Sequence, residues 1–432
     1  MGEVLHTFAT LIDIVRKSLI LVCAGLLASC AKLDESRYAV QGMRAPEVDS
    51  EVFVAAMEED AKAEWREGNQ IETLVNGGEY FPRMLAAINA AEKTITFESF
   101  VVVNAKVTYD LVMAMHRRAK EGVKVHVILD GVGSRFLDER YLIALRYAGV
   151  EFESYRPFEG WNYMRPWYCN NRDHRKILVV DGKVGFTGGA GYADCWDGDA
   201  CLDWHWRDTM YELRGPVVAD LQRGFANNWK EVRGVELEGE EYFPALKKEG
   251  NMKAQSVLGA PKEQGDTLGA SYLLAIDAAK ESILIEHAYF VPNKKLREAM
   301  IRARKRGVEI DIILPNHMID TPVVRLASKS HWPELMAAGI RIYEFDPCML
   351  HGKLIVVDDK LSIIGSGNFD DRTFFINDEL NVNVLCPKFA AEQRRMFEKD
   401  LARSNLMKPE DAKPTWKELP KYWGGKLVEP QL

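Results

Sequence analysis

Apolar and polar positions change their period several times along this chain. AAEKTITFE (90–98) alternates in the manner of a strand, and AKEGVKVHVILD (119–130) runs from a helix end through a glycine into a buried strand. Between them YDLVMAMHRRA spaces its apolar residues for a helix, as do MLAAINA upstream and KLREAMIRAR in the second half. HRKILVVDG (174–182) and HGKLIVVDD (351–359) are short apolar runs closed by turn signals, the form of a fully buried strand. Asp-Gly after the first of them marks a hairpin. AAEKTITFE matches AAKESILIE (278–286), AKEGVKVHVILD matches RKRGVEIDIILP (304–315), and AGVEFESY (148–155) matches AGIRIYEF (338–345). These matches keep one order at nearly constant offset, which predicts a single α/β unit used twice. The expected fold is therefore two tandem α/β repeats, each a mixed sheet flanked by helices, packed about a pseudo-twofold axis. The first repeat is expected over 70–246 and the second, with a C-terminal tail, over 247–432, after a lead-in over 30–69.

The N-terminus departs from this pattern. Arg16 and Lys17 precede SLILVCAGLLASC, about ten apolar residues ending in small ones, too short to span a bilayer. Residues 1–29 read as a signal peptide of lipoprotein type, since Leu27-Ala28-Ser29-Cys30 resembles a bacterial lipobox whose cysteine is acylated. The alternative is an uncleaved apolar helix. Acylation at Cys30 implies a membrane-associated, lipid-anchored protein on the periplasmic side, and Ala31 after the cysteine resembles the outer-membrane sorting pattern.

Composition narrows the chemistry. The chain has 432 residues, 47% hydrophobic and 28% charged, with a formal net charge of −8. No overall basic field argues for nucleic acid. No CxxC spacing is present, and neither repeat offers the carboxylate or thiolate cluster of a dedicated metal site. The repeats do share His174 and Lys176 with His351 and Lys353, residues two apart that face one way on a strand. One such pair is weak evidence, because a hydrogen-bonded imidazole at a strand end is ordinary. Two pairs brought to one cleft by a pseudo-twofold suit a phosphodiester. One imidazole attacks phosphorus, the other protonates the leaving oxygen, and the lysines hold the non-bridging oxygens. Gly188, Gly189, Gly365 and Ser366 after the hairpins are expected to admit a phosphate to the backbone, and Asn368 to donate an amide. Glu379 and Asp208 are the candidates for orienting the imidazoles through Nδ1.

H-x-K-x4-D followed by a glycine-rich run, found twice, resembles the double HKD motif of the phospholipase D superfamily. EHAYFVPNKKLREAMIRARKRGVEIDIILP and LHGKLIVVDDKLSIIGSGNFDDRTFFINDELNV are similar to its bacterial cardiolipin synthase branch, and the likeness runs from about residue 70 to 405. The resemblance implies one active site between the repeats, no metal or other cofactor, and a covalent intermediate on one histidine. His174 is then the expected nucleophile and His351 the general acid and base. Asp181 and Asp358 belong to the motif, but their hairpin positions point to a buttressing part. Gly191 stands where the family commonly has asparagine, so the phosphate is expected to be held unequally.

The implied substrates are phospholipids, with a membrane as partner. Family membership leaves transfer, hydrolysis and nuclease action open. Trp161, Tyr163, Met164, Trp167 and Tyr168 in the loop 159–171, with Trp196, Trp204 and Trp206, can dip into a lipid interface or wall a cleft. An acidic chain with such a rim favours phosphatidyl transfer of the cardiolipin synthase type, with a phospholipase D hydrolase as the alternative. The sequence carries no signal of oligomeric state.

Overall fold

Each histidine motif heads a hairpin, and the hairpins sit at equivalent places in two matching sheets. The structure is a computed structural model and describes residues 46–158, 168, 170–260 and 265–412. The leader over 1–29, Cys30 and most of the loop 159–171 lie outside the described residues. The first repeat contributes β1 (Arg66–Val75), β2 (Thr94–Ser99), β3 (Lys124–Asp130), β4 (Glu151–Tyr155), β5 (Lys176–Val180), β6 (Val184–Gly188) and β7 (Thr209–Arg214). The second contributes β8 (Met252–Gly259), β9 (Ser282–His287), β10 (Glu309–Pro315), β11 (Arg341–Phe345), β12 (Lys353–Val357), β13 (Leu361–Gly365), β14 (Glu379–Leu385) and the short β15 (Ser404–Leu406).

In space the first repeat reads β4-β3-β2-β5-β6-β7-β1 and the second β11-β10-β9-β12-β13-β14-β8, with β15 added beside β11. The two orders correspond strand for strand. Within each, the first three are parallel and the hairpin strands antiparallel. Equivalent strands β1 and β8 pair antiparallel, as a twofold requires, and fuse the two expected sheets into one of fifteen strands. A register shift between Glu67 and Asn69 interrupts that seam, so the sheet bends where the repeats meet. β1 starts at Arg66, inside the segment expected as lead-in. Helix Glu51–Ala61, also from that segment, is capped by Ser50 Oγ accepting from Phe53 N–H at 3.2 Å. It lays Phe53 and Met57 against Tyr272 and Ile276 of the second repeat.

Period-two alternation in the buried strands serves two cores at once. Ile177 and Val179 of β5 join Leu354 and Val356 of β12 in a core between the repeats, together with Trp229 of helix Val218–Arg233 and Phe389 and Phe397 of helix Pro387–Leu401. Leu178 and Val180 face an outer core of the first repeat, and Ile355 and Val357 one of the second. These strands are therefore apolar throughout rather than alternating, because both faces are covered.

The hairpin turns hold left-handed backbone at Asp181–Gly182 (φ 52° and 64°) and Asp358–Asp359 (φ 53° and 52°). A Cβ on Gly182 would meet the Tyr242 carbonyl at 2.3 Å, so only glycine fits there. Asp181 accepts from the backbone N–H groups of Glu92, Lys93 and Thr94, and Asp358 from those of Lys280, Glu281 and Ser282. Both aspartates cap the start of the neighbouring strand, at the end of the hairpin remote from the histidines. Removing the carboxylate leaves three partly exposed backbone N–H groups without their acceptor, at a cost of about 1–2 kcal/mol. Asp358→Ala is expected to lower the unfolding free energy by that amount, read as a lower urea midpoint at unchanged slope, with Asp181→Ala close behind.

Candidate active site

β5 and β12 each begin two residues after a histidine, and this puts His174 and His351 just beyond the carboxyl ends of the parallel strands, where open α/β sheets bind ligands. The loop before each histidine is tied to the other repeat. His174 N–H donates to the Asp378 carbonyl at 2.8 Å, and Asp378 N–H donates back to Arg172 at 2.9 Å. His351 N–H donates to the Arg207 carbonyl at 2.7 Å, beside a short parallel pairing of Met349–Leu350 with Trp206–Arg207. The side chains repeat this crossing. His174 Nδ1 lies 2.8 Å from Glu379 Oε1, and His351 Nδ1 lies 2.7 Å from Asp208 Oδ2. The expected orienting carboxylates are thus in place, each holding the histidine of the opposite repeat and leaving its Nε2 for a ligand.

The carboxylates are held in turn, by different means. Ser366 Oγ donates to Glu379 Oε2 at 2.5 Å and Thr373 Oγ1 approaches Oε1 at 3.4 Å. Asp208 accepts from Trp196 Nε1–H at 2.9 Å and from Thr209 N–H at 2.8 Å. A Cβ on Gly189 would meet Asp208 Oδ1 at 2.3 Å, while one on Gly188 or Gly365 would strike the neighbouring strand. Gly188, Gly189, Gly365 and Ser366 therefore make room for strand pairing and for the orienting carboxylates. Gly191 has a similar cause. The Trp196 ring would stand 2.9 Å from its Cβ, so the indole excludes an asparagine there. Asn368, at the equivalent point of the second repeat, is buried, and its Oδ1 has no hydrogen-bond partner among the described residues.

Both lysines are buried and turn toward the histidines. Lys176 Nζ donates to the His174 carbonyl at 2.7 Å and Lys353 Nζ to the His351 carbonyl at 2.9 Å. Burial, with Lys176, Lys353 and Arg372 nearby, holds His174 well below its ordinary value. Burial and Lys353 lower His351 to about 4 against the pull of Asp208. Burial also lowers Lys353, and it brings Lys176 down to about 7. Glu379 is raised to about 8 by burial, with Lys176 and Ser366 opposing. Burial raises Asp208 too, but His351 and Lys353 outweigh it and hold that carboxyl below its usual range. The lysine of one repeat thus acts on the histidine of the other, so the two motifs form one electrostatic unit.

Aromatic rings wall the site. Phe100 meets His174 edge-on at 5.0 Å between centroids, while Trp196 and Trp206 lie 5.4 and 5.2 Å from His351. Trp196 is buried and Trp206 half-buried, so these two tryptophans are cleft wall rather than lipid-facing rim. Trp204 meets the His205 ring edge-on at 4.1 Å between centroids. Trp161, Tyr163, Met164 and Trp167 lie outside the described residues. Asp181 and Asp358 are not brought to this site. Sequence reasoning missed Phe100, Thr373 and Arg372, and it missed Trp196 as a hydrogen-bond donor. Arg372 stands four residues after Asn368 in a motif already noted, and that nearness to the motif was the available signal.

A family described as cardiolipin synthase, PLD-like domain, matches residues 84–195 and 272–401. The minor cardiolipin synthase ClsB of Bacillus subtilis (strain 168) is 33% identical over 362 residues, covering 83% of this chain and 88% of its own. Cardiolipin synthase A of Pseudomonas fluorescens (strain SBW25) is 32% identical over 351 residues, 80% of this chain and 71% of its own. In fold, the crystal structure of phosphatidylserine synthase from Haemophilus influenzae Rd KW20 superposes with a TM-score of 0.68 at 15% identity, covering 88% of this chain and 99% of that one.

Three donors converge on Asp208, and an amide nitrogen cannot accept from any of them. Asp208→Asn is expected to turn the His351 imidazole to the wrong tautomer and lower kcat on a soluble phosphodiester by about 10³ to 10⁴. A loss below tenfold, with the imidazole ¹⁵N shifts of His351 unchanged, would remove the orienting role.

Proposed function

Because this chain belongs to the cardiolipin synthase family of PLD-like domains, we propose that it is a phosphatidyltransferase working through a phosphohistidine. The observation that carries this reading is the pair of Nδ1-anchored imidazoles, one from each repeat, each with a buried lysine beside it. In the proposed reaction His174 Nε2 attacks the phosphorus of a phospholipid, and the bond from phosphorus to the headgroup oxygen breaks. His351 gives a proton to the departing alkoxide, leaving phosphatidyl-His174 and a free alcohol. The hydroxyl of a second phospholipid's headgroup then gives its proton to His351 and attacks phosphorus, releasing His174. Lys176 and Lys353 hold the non-bridging oxygens throughout, and Asn368 is placed to contribute an amide on one side only. An imidazole held neutral by burial is ready to attack, which supports His174 as nucleophile.

The proposal includes a membrane anchor at Cys30, resting on the lipobox-like LASC after a charged and apolar leader. Two or more acyl chains give stable attachment where one does not. No helix among the described residues is long and apolar enough to cross a membrane. The anchor would keep the cleft near the lipids it joins, on the periplasmic side of a membrane.

Three arms of one assay test the reading. Vesicles with a headgroup alcohol should yield dimeric phospholipid in excess of phosphatidic acid, His174→Ala and His351→Ala should each abolish turnover while rapid quenching of the wild type traps a phosphatidyl adduct on His174, and Cys30→Ser should leave the precursor unacylated. Phosphatidic acid as sole product would favour the hydrolase alternative, and an adduct on His351 would exchange the two histidine roles.

The pH profile is a second test. Lys176 is charged below about 7 and loses its proton as pH rises through that value. Two groups of the free enzyme must be protonated, His351 as the acid, lowered to about 4, and Lys176 for the phosphate, so kcat/KM should fall above about pH 4 and gain a second, steeper alkaline limb above about pH 7. Lys176→Arg keeps its charge and should move this alkaline limb upward, even at a lower maximal rate. An unmoved limb would assign it to another group.

A further inference from the structure

Glu98 near the end of β2 and Glu286 near the end of β9 are equivalent residues, and both are fully buried. Glu98 stands opposite Ile177 and Glu286 opposite Leu354, so both carboxyl groups share the face that builds the core between the repeats. Each meets a second buried carboxyl group there. Glu98 contacts Asp173, the residue before His174, and Glu286 contacts Asp400 of helix Pro387–Leu401. Glu98 Oε1 accepts from Asn228 Nδ2–H at 2.7 Å, but Glu98 Oε2 and Asp173 Oδ2 find no donor among the described residues. Neither oxygen of Glu286 finds one either.

The charges around these contacts do not balance. Arg175 faces the first pair together with a third carboxyl group, Asp378, to which Tyr155 Oη donates at 2.6 Å. Arg207 faces the second pair, with Asp208 and the Tyr211 hydroxyl also close. Each cluster thus sets three buried carboxyl groups against one guanidinium, and Asp208 already serves His351. Buried like charges in contact do not all ionise, and a retained proton supplies the donor that the orphaned oxygens lack.

Both clusters adjoin the backbone contacts that seat the histidines. Asp173 bridges to Asp378 of the other repeat, and the Asp378 carbonyl accepts from His174 N–H at 2.8 Å. Asp400 Oδ2 accepts from Arg207 Nε–H at 3.0 Å, and the Arg207 carbonyl accepts from His351 N–H at 2.7 Å.

We propose that Glu98 with Asp173, and Glu286 with Asp400, are acid–carboxylate pairs, each keeping one proton that fastens a histidine-bearing segment to the opposite repeat. All four are positioning residues, acting on His174 and His351 through the backbone. Burial raises Glu286 to about 8, with Asp400 adding to it and Arg207 opposing. Burial, with Glu98 beside it, also raises Asp173 well above its usual range. A carboxyl group raised in the folded state holds a proton that the unfolded chain releases near pH 4. Its contribution to stability is complete below that value and is lost as pH rises through the folded value.

Amides of the same shape donate at every pH, so Asp173→Asn and Glu286→Gln test the pairs in the purified full-length protein. Urea unfolding between pH 5 and 8 should show the folding constant of each variant, relative to wild type, rising about tenfold per pH unit, and that of the double variant about a hundredfold. Infrared spectra at pH 7 should lose the C=O stretch of one protonated carboxyl group in each single variant. A relative folding constant flat to within about threefold over this range, with an undiminished band, overturns the shared protons. Glu98→Gln places the amide donor on the other side of the first pair. It should reproduce the tenfold slope if Asp173→Asn fails to fold, and a flat slope there overturns that pair. Positioning is read from kcat/KM on a soluble phosphodiester as the ratio of variant to wild type, in which the titrations of Lys176 and His351 cancel. The ratio should climb above about pH 8, where only the wild type gives up its protons, and a flat ratio overturns the positioning role.

Discussion

Each motif imidazole is aimed by a carboxylate that the other repeat supplies. His174 depends on Glu379 and His351 on Asp208, and the backbone beside each histidine is hydrogen-bonded to the same foreign segment. Neither half holds a complete site alone. The docking of the repeats is accordingly specified by polar contacts within a buried interface. Arg175 reaches the carbonyls of Glu379 and Gly259, Arg207 pairs with Asp400 at 2.7 Å, and Tyr155 Oη donates to Asp378 at 2.6 Å. Buried charges of this kind add little net stability, but breaking one partner leaves the other stranded. They define one relative position of the repeats, which is what two convergent imidazoles require.

The duplication has been differentiated at points that the copies' common ancestry leaves alike. Glu379 is steadied by Ser366, whereas the shorter Asp208 is steadied by an indole, which costs the first repeat both a side chain at Gly189 and an asparagine at Gly191. Between histidine and lysine the first motif has Arg175, and the second has Gly352, where a Cβ would meet Glu286 Oε1 at 2.1 Å. The strand-end glutamates are consequently unlike. Glu98 lies by Arg175 and accepts from Asn228 at 2.7 Å, while Glu286 lies near Arg207 and is pushed up to about 8 by burial. A nearly symmetric frame thus surrounds its two histidines with unequal fields, as a reaction with a nucleophile and a separate acid needs.

Burial is the common cause of the unusual protonation in this cleft. Two lysines and two imidazoles beneath aromatic walls are held toward neutrality, and in the proposed reaction an arriving phosphate diester would restore charge that burial disfavours. Binding and activation are thereby linked, since the cations are strongest when the anion they serve is present. The same apolar walls strengthen each hydrogen bond to that anion.

The sequence by itself determined the repeat, the strand and helix order within it, and the two histidine–lysine pairs. All of these follow from local periodicity, or from identical spacing visible by laying one half on the other. It also supplied Glu379 and Asp208 as candidates, but not which histidine each would hold. Those partners are 205 and 143 residues apart in the chain, and nothing local encodes such a crossing. Tertiary structure alone decided the fusion of the sheets through β1 and β8, and the use of Trp196 and Trp206 as walls. It also decided that the small residues after each hairpin admit the close approach of Asp208 and of the neighbouring strands. The physical reason is the same in each case. Periodicity reports which face of an element is buried, and only the packing of the two repeats determines what that face is buried against.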